Sequence, residues 1–122
     1  MAKEFRKRED EGNDLIKRFE DHLRKKKTEF FEIEAFEEII DFYMLRAKYN
    51  KALQAVNLAI NQYPFSTQFV TTKAQVLSQL GEYDEALDLL EQAGNLQPND
   101  AEIMLTRGSI FTLQGKHKEA IE

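Results

Sequence analysis

Cysteine is absent from the 122-residue chain, and so is any long run of apolar residues. Without cysteine, disulfides, thiolate metal sites and a thiol nucleophile are all excluded, and a cytoplasmic location is favoured. The first ten residues carry charges where a secretion signal would need an apolar stretch. No segment approaches the roughly 18 uninterrupted apolar residues of a membrane-spanning helix, so we expect none.

Signals for catalysis are also scarce. The two histidines are His22, which follows Asp21, and His117, and no nucleophile is paired with either of them. Phosphate-binding glycine loops and zinc-binding histidine motifs are missing. One run of carboxylates follows helical spacing, at Glu34, Glu37, Glu38 and Asp41. It lacks the backbone oxygens of a calcium loop and is interpreted as a solvated face, so we expect no enzyme, cofactor or metal.

The net charge of -5 argues against broad affinity for nucleic acid, but the charge is unevenly placed. Residues 1–32 hold ten basic and nine acidic side chains, and the remainder holds seven against thirteen. Basic runs at residues 6–8 and 24–27 raise nucleic-acid binding as the alternative function. Acidic residues are interleaved with both runs, and the aromatics nearby are typical of a core. A protein partner is therefore favoured.

Helical periodicity dominates the chain. Near the N-terminus, Leu15, Ile16, Phe19 and Leu23 follow the spacing of an amphipathic helix from about residue 14 to 25. Asn13 or Asp14 could cap its start. After residue 32 helical spacing continues almost throughout, and no strand pattern competes with it.

The chain repeats itself every 34 residues. That offset brings Ala52 onto Ala86 and Ala120, and it brings Pro64 onto Pro98. It also aligns further sets: Tyr49 with Tyr83 and His117, Phe36 with Val70 and Met104, and Tyr43 with Leu77 and Phe111. A period of this length is typical of helical-repeat proteins.

The second repeat carries a family resemblance. Residues 81–87 (GEYDEAL), then Ala93, then residues 96–100 (LQPND) resemble the tetratricopeptide repeat in residue type and spacing. Repeats would then span 33–66, 67–100 and 101–122, after a charged helical extension at 1–32 that could cap the first repeat. The resemblance implies an all-α fold of antiparallel helix pairs stacked in a right-handed superhelix with a concave groove.

The repeated small residues have physical roles in such a fold. Ala52, Ala86 and Ala120 on the second helices, and Ala74 and Gly108 on the first, are predicted to mark close helix contacts. Gly81 and Gly115 are predicted to end the first helices, since glycine adopts the left-handed conformation at low cost. The first repeat has Ala47 at that position. Lys73 and Arg107 stand where leucine is usual, and either their stems cover apolar surface or their charges face a ligand.

The resemblance also implies where a partner lies, because the first helix of each repeat lines the groove in this family. The corresponding residues are Glu34, Glu37, Asp41, Met44 and Leu45, then Gln68, Thr71, Gln75, Ser78 and Gln79, then Glu102, Leu105, Ser109, Thr112 and Leu113. The groove is expected to be acidic in the first repeat and neutral polar beyond it. The predicted function is a scaffold or adaptor that binds a peptide or protein.

One class of partner is disfavoured. Family members that grip the acidic tails of heat-shock chaperones use lysine, asparagine and arginine at fixed groove positions. The residues at those positions here are Glu37, Asp41, Thr72, Glu102 and Thr106. Like charges repel, so we expect basic or neutral polar partners and not an acidic chaperone tail.

The third repeat is short, because Glu122 corresponds to Asp88 of the preceding one. We therefore expect a fragment of a longer protein, with the second helix of this repeat barely begun. Parts of Ile103, Met104, Ile110 and Phe111 should then face water, which favours self-association.

Overall fold

Six helices make up the computed structural model, which describes the backbone of residues 2–25 and 29–121 and the side chains of residues 14–25 and 29–118. They are α1 (Ala2–Lys25), α2 (Ile33–Leu45), α3 (Tyr49–Gln62), α4 (Thr67–Gln79), α5 (Tyr83–Leu96) and α6 (Ala101–Ile121). These residues contain no strand, which confirms the all-α class. Within them, no helix combines the length and the apolar composition that crossing a membrane requires.

The chain divides into two compact units, Met1–Ala55 and Val56–Glu122, with the boundary inside α3. The first unit is built from α1, α2 and the beginning of α3. The second contains the rest of α3 together with α4, α5 and α6.

In the first unit, α1 packs against α2 through aromatic side chains. The buried ring of Phe19 has its centroid 6.4 Å from Phe31 and 6.0 Å from Tyr43. Phe31 lies 5.4 Å from Phe36 in turn. Ile16 is buried as well. Burying one such side chain stabilises the fold by about 1.5–3 kcal/mol, so this cluster is sufficient to hold α1 on α2.

The start of α1 differs from the prediction. The helix begins at Ala2 and not near residue 14, so Asn13 and Asp14 lie inside it and are not caps. The apolar periodicity starts only at Leu15, which is why it misplaced the boundary. The residues before it are mainly Ala, Lys, Glu and Arg, which have high helix propensity without any apolar face.

The first helix of each complete repeat ends in the same left-handed turn. At the end of α4, Gly81 has φ +83°, and the Glu82 N–H donates to the Leu77 carbonyl at 2.9 Å. At the end of α2, Ala47 has φ +56°, and the Lys48 N–H donates to the Tyr43 carbonyl, also at 2.9 Å. Both turns are Schellman motifs, and the first forms even though alanine replaces glycine.

The third repeat does not turn. Gly115 was predicted to end its first helix, but α6 runs through this residue to Ile121. Gly108 was predicted to mark a close helix contact, yet it is exposed and a Cβ there would meet nothing within 4 Å. Both predictions are wrong because they presuppose a second helix packed on α6. The Ala120 side chain lies outside the described residues.

In the second unit, α4, α5 and α6 all pack against one another. Ala74 and Ala86 are fully buried at the predicted seam positions, and Leu90 is buried beside them in the core. Side chains cap the starts of two helices: the Ser66 hydroxyl accepts from the Phe69 N–H at 3.4 Å, and an Asp100 carboxylate oxygen accepts from Ile103 N–H at 3.1 Å.

The apolar residues of α6 divide into two sets. Ile103 and Ile110 are buried in the unit, so the expectation that they face water is wrong. Met104 and Phe111 are 64% and 50% exposed, as predicted. His117, a register equivalent of tyrosine, is exposed, and its ring centroid lies 5.8 Å from that of Tyr83.

Candidate functional site

The predicted partner-binding residues of the second unit come from two neighbouring helices, α4 and α6. They meet where the Thr71 hydroxyl of α4 lies 3.2 Å from a carboxylate oxygen of Glu102 on α6. The same hydroxyl lies 2.8 Å from the Gln68 carbonyl. The hydroxyl has one hydrogen, which the nearer Gln68 carbonyl accepts, so it is the packing of α4 against α6 that places the two first helices side by side.

Most of the predicted residues on the surface of α4 and α6 are accessible. The exposed ones are Gln68, Gln75, Gln79, Glu102, Leu105, Ser109, Thr112 and Leu113. Thr71 and Ser78 are buried, at 1% and 5% exposure, and their hydroxyls bond within the protein. These two residues therefore position the surface and are not available for contact with a partner. Leu105 and Leu113 are 72% and 38% exposed, so this mainly polar surface has two apolar side chains, of which Leu105 is the more accessible.

In the first unit the predicted residues lie along α2. Glu34, Asp41 and Leu45 are exposed, and Glu37 and Met44 are half-buried. No basic residue lies on α2, so its exposed side is acidic. The acidic character predicted for the first repeat is thus present on this helix.

The last turn of α2 is tied to α1 by a part-buried polar contact. The Tyr43 hydroxyl donates to a carboxylate oxygen of Glu20 at 2.9 Å. Burial raises the pKa of Tyr43 well above its ordinary value, and the hydrogen bond to Glu20 and its negative charge add to the effect. The neutral phenol is therefore strongly favoured in the fold, and this contact has a structural role.

The residues considered for catalysis have structural roles too. The Nδ1 atom of His22 accepts a hydrogen bond from the Glu29 N–H at 3.1 Å, and its ring contacts Phe31 edge-on. Asp21, its neighbour in sequence, pairs with Arg24. Among the described side chains, no group of three or more His, Asp or Glu residues is arranged to hold a metal ion.

Most residues of the two basic runs that raised the nucleic-acid alternative lie outside the described side chains. Lys26 and Lys27 lie outside the described residues, as do the side chains of residues 6–8. Of the described part, Arg24 is engaged by Asp21, and Lys25 is exposed.

Sequence reasoning missed one apolar surface. Phe65 and Leu96 are 95% and 85% exposed and flank a hollow of about 90 Å³ whose lining includes Pro64 and Val70. The repeat comparison contains a signal for it, because Phe65 aligns with the polar Asn99 of the next repeat. A position that is polar in the neighbouring repeat is expected to lie on the surface. An aromatic side chain at the same position in this repeat is therefore expected to be exposed.

α4 and α5 form a packed helix pair, and α6 packs against both of them. Residues 69–110 match the family model described as Tetratricopeptide repeat. The match covers 42 of the 122 residues and includes all of α5 and most of α4. The resemblance is thereby confirmed for residues 69–110, which are similar to the tetratricopeptide repeat. No curated protein gives a significant match to the chain.

Proposed function

We propose that this chain is a non-enzymatic scaffold or adaptor that binds basic or neutral polar segments of partner proteins through the exposed residues of its first helices. Tetratricopeptide repeats generally mediate contacts between proteins, and the match at residues 69–110 is the observation that carries the proposal. The packing of α4 against α6 supports it, because this packing brings exposed side chains of two first helices together.

The charge of α2 indicates which partners are favoured. Glu34 and Asp41 are exposed on this helix, which has no basic residue to offset them. Complementary charge accelerates association and selects against partners of like charge. A lysine- or arginine-containing segment is therefore preferred over an acidic one.

The charge preference can be tested with a set of acidic, neutral and basic peptides of equal length, titrated by calorimetry. Basic peptides should bind best, and Asp41→Lys should weaken them about 5- to 10-fold, with the difference shrinking at high salt. Asp88→Lys is the matched control, because Asp88 is an exposed aspartate on the second helix α5. Preference for acidic peptides, or equal effects of the two substitutions, would contradict the proposal.

The role of the surface of α4 and α6 in peptide binding is tested separately, by substituting one leucine on that surface and one leucine outside it. Leu105→Lys removes the more accessible apolar side chain of that surface and should weaken peptides that bind there. Leu96→Lys is the control, since Leu96 is similarly exposed but lies at the end of α5. Both variants should keep the melting temperature of the parent protein. Equal loss of peptide binding in both would show that binding does not use this surface.

A further inference from the structure

The aromatic residue that precedes α2 is buried, whereas the one that precedes α4 is exposed. Phe31 stands just before Glu32, the N-cap of α2, and Phe65 stands just before Ser66, the N-cap of α4. In a hydrophobic staple the residue at this position packs against the fourth residue of the helix. Phe31 forms that contact, with its ring centroid 5.4 Å from that of Phe36. Phe65 is 95% exposed and leaves the staple of α4 unmade.

A hollow lies where this staple is unmade. The fourth residue of α4 is Val70, which is half-buried and lines the hollow of about 90 Å³ described above. Phe65 and Leu96 stand at its edges and do not fill it, since both are almost fully exposed. α4 and α5 are already packed against each other beside it. The hollow is therefore a recess at the end of a complete helix pair and has room for one further side chain.

The chemistry of the hollow selects an uncharged aliphatic group. None of the residues that the structure places around it carries a charge. An apolar cavity of about 150 Å³ holds a benzene ring, so a hollow of about 90 Å³ suits a smaller group, such as the side chain of leucine. A lysine or an aspartate would lose hydration there without gaining a partner.

One polar group at the rim is oriented toward backbone recognition. The Thr67 hydroxyl donates to Oε1 of Gln97 at 2.7 Å, and both residues line the hollow. This contact holds the amide of Gln97, and its Nε2 hydrogens have no protein acceptor among the described residues. They can donate to the carbonyl of a peptide whose side chain enters the hollow.

The exposed area indicates a short segment and not a second copy of the chain. A phenylalanine buries about 150–250 Å² when it is covered, and a leucine buries less. Phe65 and Leu96 together therefore offer a few hundred Å², whereas a stable dimer buries about 800 Å² on each copy. An apolar patch of this size is typical of a local binding site.

We propose that this hollow binds a short extended segment of a partner protein through one leucine side chain, which occupies the place left by the unmade staple. Phe65 and Leu96 cover the two sides of that leucine, and the Gln97 amide donates to the backbone of the segment. The site is separate from the first-helix residues assigned above. Because its lining is uncharged, binding here should not weaken as salt is raised, unlike binding led by the acidic side of α2.

The probes are blocked pentapeptides, acetyl-Thr-Ser-X-Ser-Thr-amide, in which X is leucine, alanine or lysine. The full chain is titrated with each to about 10 mM, and the methyl NMR signals of Val70 and Leu96 are followed. The leucine peptide should shift both signals saturably, with a Kd between about 0.1 and 5 mM at low and at high salt. The alanine peptide should bind at least about 10-fold more weakly, because it buries about three fewer carbons, and so should the lysine peptide.

Two variants test the walls, and a third is the matched control. Phe65→Asn introduces the residue that the next repeat has at this position, Asn99, and Leu96→Lys alters the opposite wall. Both side chains are exposed, so the melting temperature should be unchanged while affinity for the leucine peptide falls at least about 5-fold. Leu105→Lys replaces an equally accessible leucine on the surface of α4 and α6. It should leave the leucine peptide unaffected.

Four results would overturn the inference. The first is no saturable shift of the Val70 methyl signals up to about 10 mM leucine peptide. The second is equal affinity for the leucine and alanine peptides, or equal affinity of the parent chain and Phe65→Asn. The third is a nuclear Overhauser contact between the Phe65 ring and the Val70 methyls in the chain alone, which would mean that the staple closes by itself. The fourth is a dimer abolished by Phe65→Asn, which would make a second copy the occupant. None of these results depends on whether basic peptides bind the first helices.

Discussion

α4 and α6 occupy equivalent places in successive repeats, yet one is enclosed and the other is open on one side. The position of Leu77 in α4, which is 2% exposed, is taken in α6 by Phe111, which is 50% exposed. The position of the buried Ala74 is taken by the exposed Gly108. The two helices have the same apolar spacing, so the difference comes from whether a second helix covers that side. Burial in a repeat protein is a property of the neighbours as much as of the residue.

The same comparison explains the turns. α4 ends at a left-handed Gly81, whereas α6 continues through Gly115. Glycine permits the turn but does not require it, because an unturned helix keeps its hydrogen bonds. The packing of α5 on α4 supplies the free energy that makes the turn favourable. Within the described residues no helix covers the corresponding side of α6, and α6 continues to Ile121.

The largest expected effect comes from truncating the enclosed and the open apolar residue in turn. Leu77→Ala should lower the free energy of unfolding by about 2–5 kcal/mol, because it leaves a cavity in a packed core. Phe111→Ala removes a side chain already half in water and should cost about 1 kcal/mol or less. Urea denaturation of both variants measures the difference. Equal losses would mean that Phe111 is covered in solution.

The seam positions should respond with opposite signs. Ala74→Leu overfills a buried contact and should destabilise the chain by about 1–3 kcal/mol. Gly108→Ala adds a methyl group to open space in a helix and should stabilise by about 0.5–1 kcal/mol. Thermal melting of each single variant checks the pair. A loss of stability in Gly108→Ala would show that this position is closely packed.

The two left-handed turns provide a smaller, reciprocal test. Gly81→Ala should cost about 1 kcal/mol, because alanine is strained at positive φ. Ala47→Gly relieves that strain, but glycine also makes the unfolded chain more flexible, so the gain should be about 0.5 kcal/mol. Chemical denaturation of the two variants against the parent tests this. Loss of stability in Ala47→Gly would mean that the alanine is not strained there.

The first repeat offers a pH-dependent test at Tyr43, the register equivalent of Leu77. Because the pKa of Tyr43 is raised in the fold, the unfolded chain loses this proton first as pH rises. The stability contributed by Tyr43 is therefore complete below about pH 10 and falls as pH rises above it. Tyr43→Phe should cost about 1 kcal/mol at neutral pH by removing the hydrogen bond to Glu20. Its disadvantage should shrink between about pH 10 and 11, and a constant difference would contradict this.

Much of the fold was predictable because the 34-residue period places equivalent helices, and their buried positions, at equivalent points of each repeat. Ala86 is buried as its register required, and α3 and α5 end two residues before Pro64 and Pro98. The errors occur where an element lacks a neighbour or an apolar face. Gly115 was misassigned because the turn needs a packed second helix, and the start of α1 was misplaced because propensity alone extends it.

The candidate site was predictable in position and less so in accessibility. The resemblance selected residues on α4 and α6, and most of them are exposed. It could not show that the hydroxyl groups of Thr71 and Ser78 turn back to bond with backbone carbonyls of their own helix. The residues at these two positions of the next repeat, Leu105 and Thr112, are exposed. Whether such a position is buried therefore depends on the helix packed next to it.

The uninterrupted course of α6 has a consequence for how firmly its amide protons are held. Two glycines, at 108 and 115, lie inside this helix, and each weakens it by up to about 1 kcal/mol relative to alanine. Amides before Gly108 are anchored by the buried Ile103 and should exchange with solvent most slowly. Amides between the glycines are held mainly by the buried Ile110, and amides beyond Gly115 should exchange fastest. α6 would then open in steps from its C-terminal end, and its last turn would be in continual local equilibrium with water while the rest of the unit stays closed.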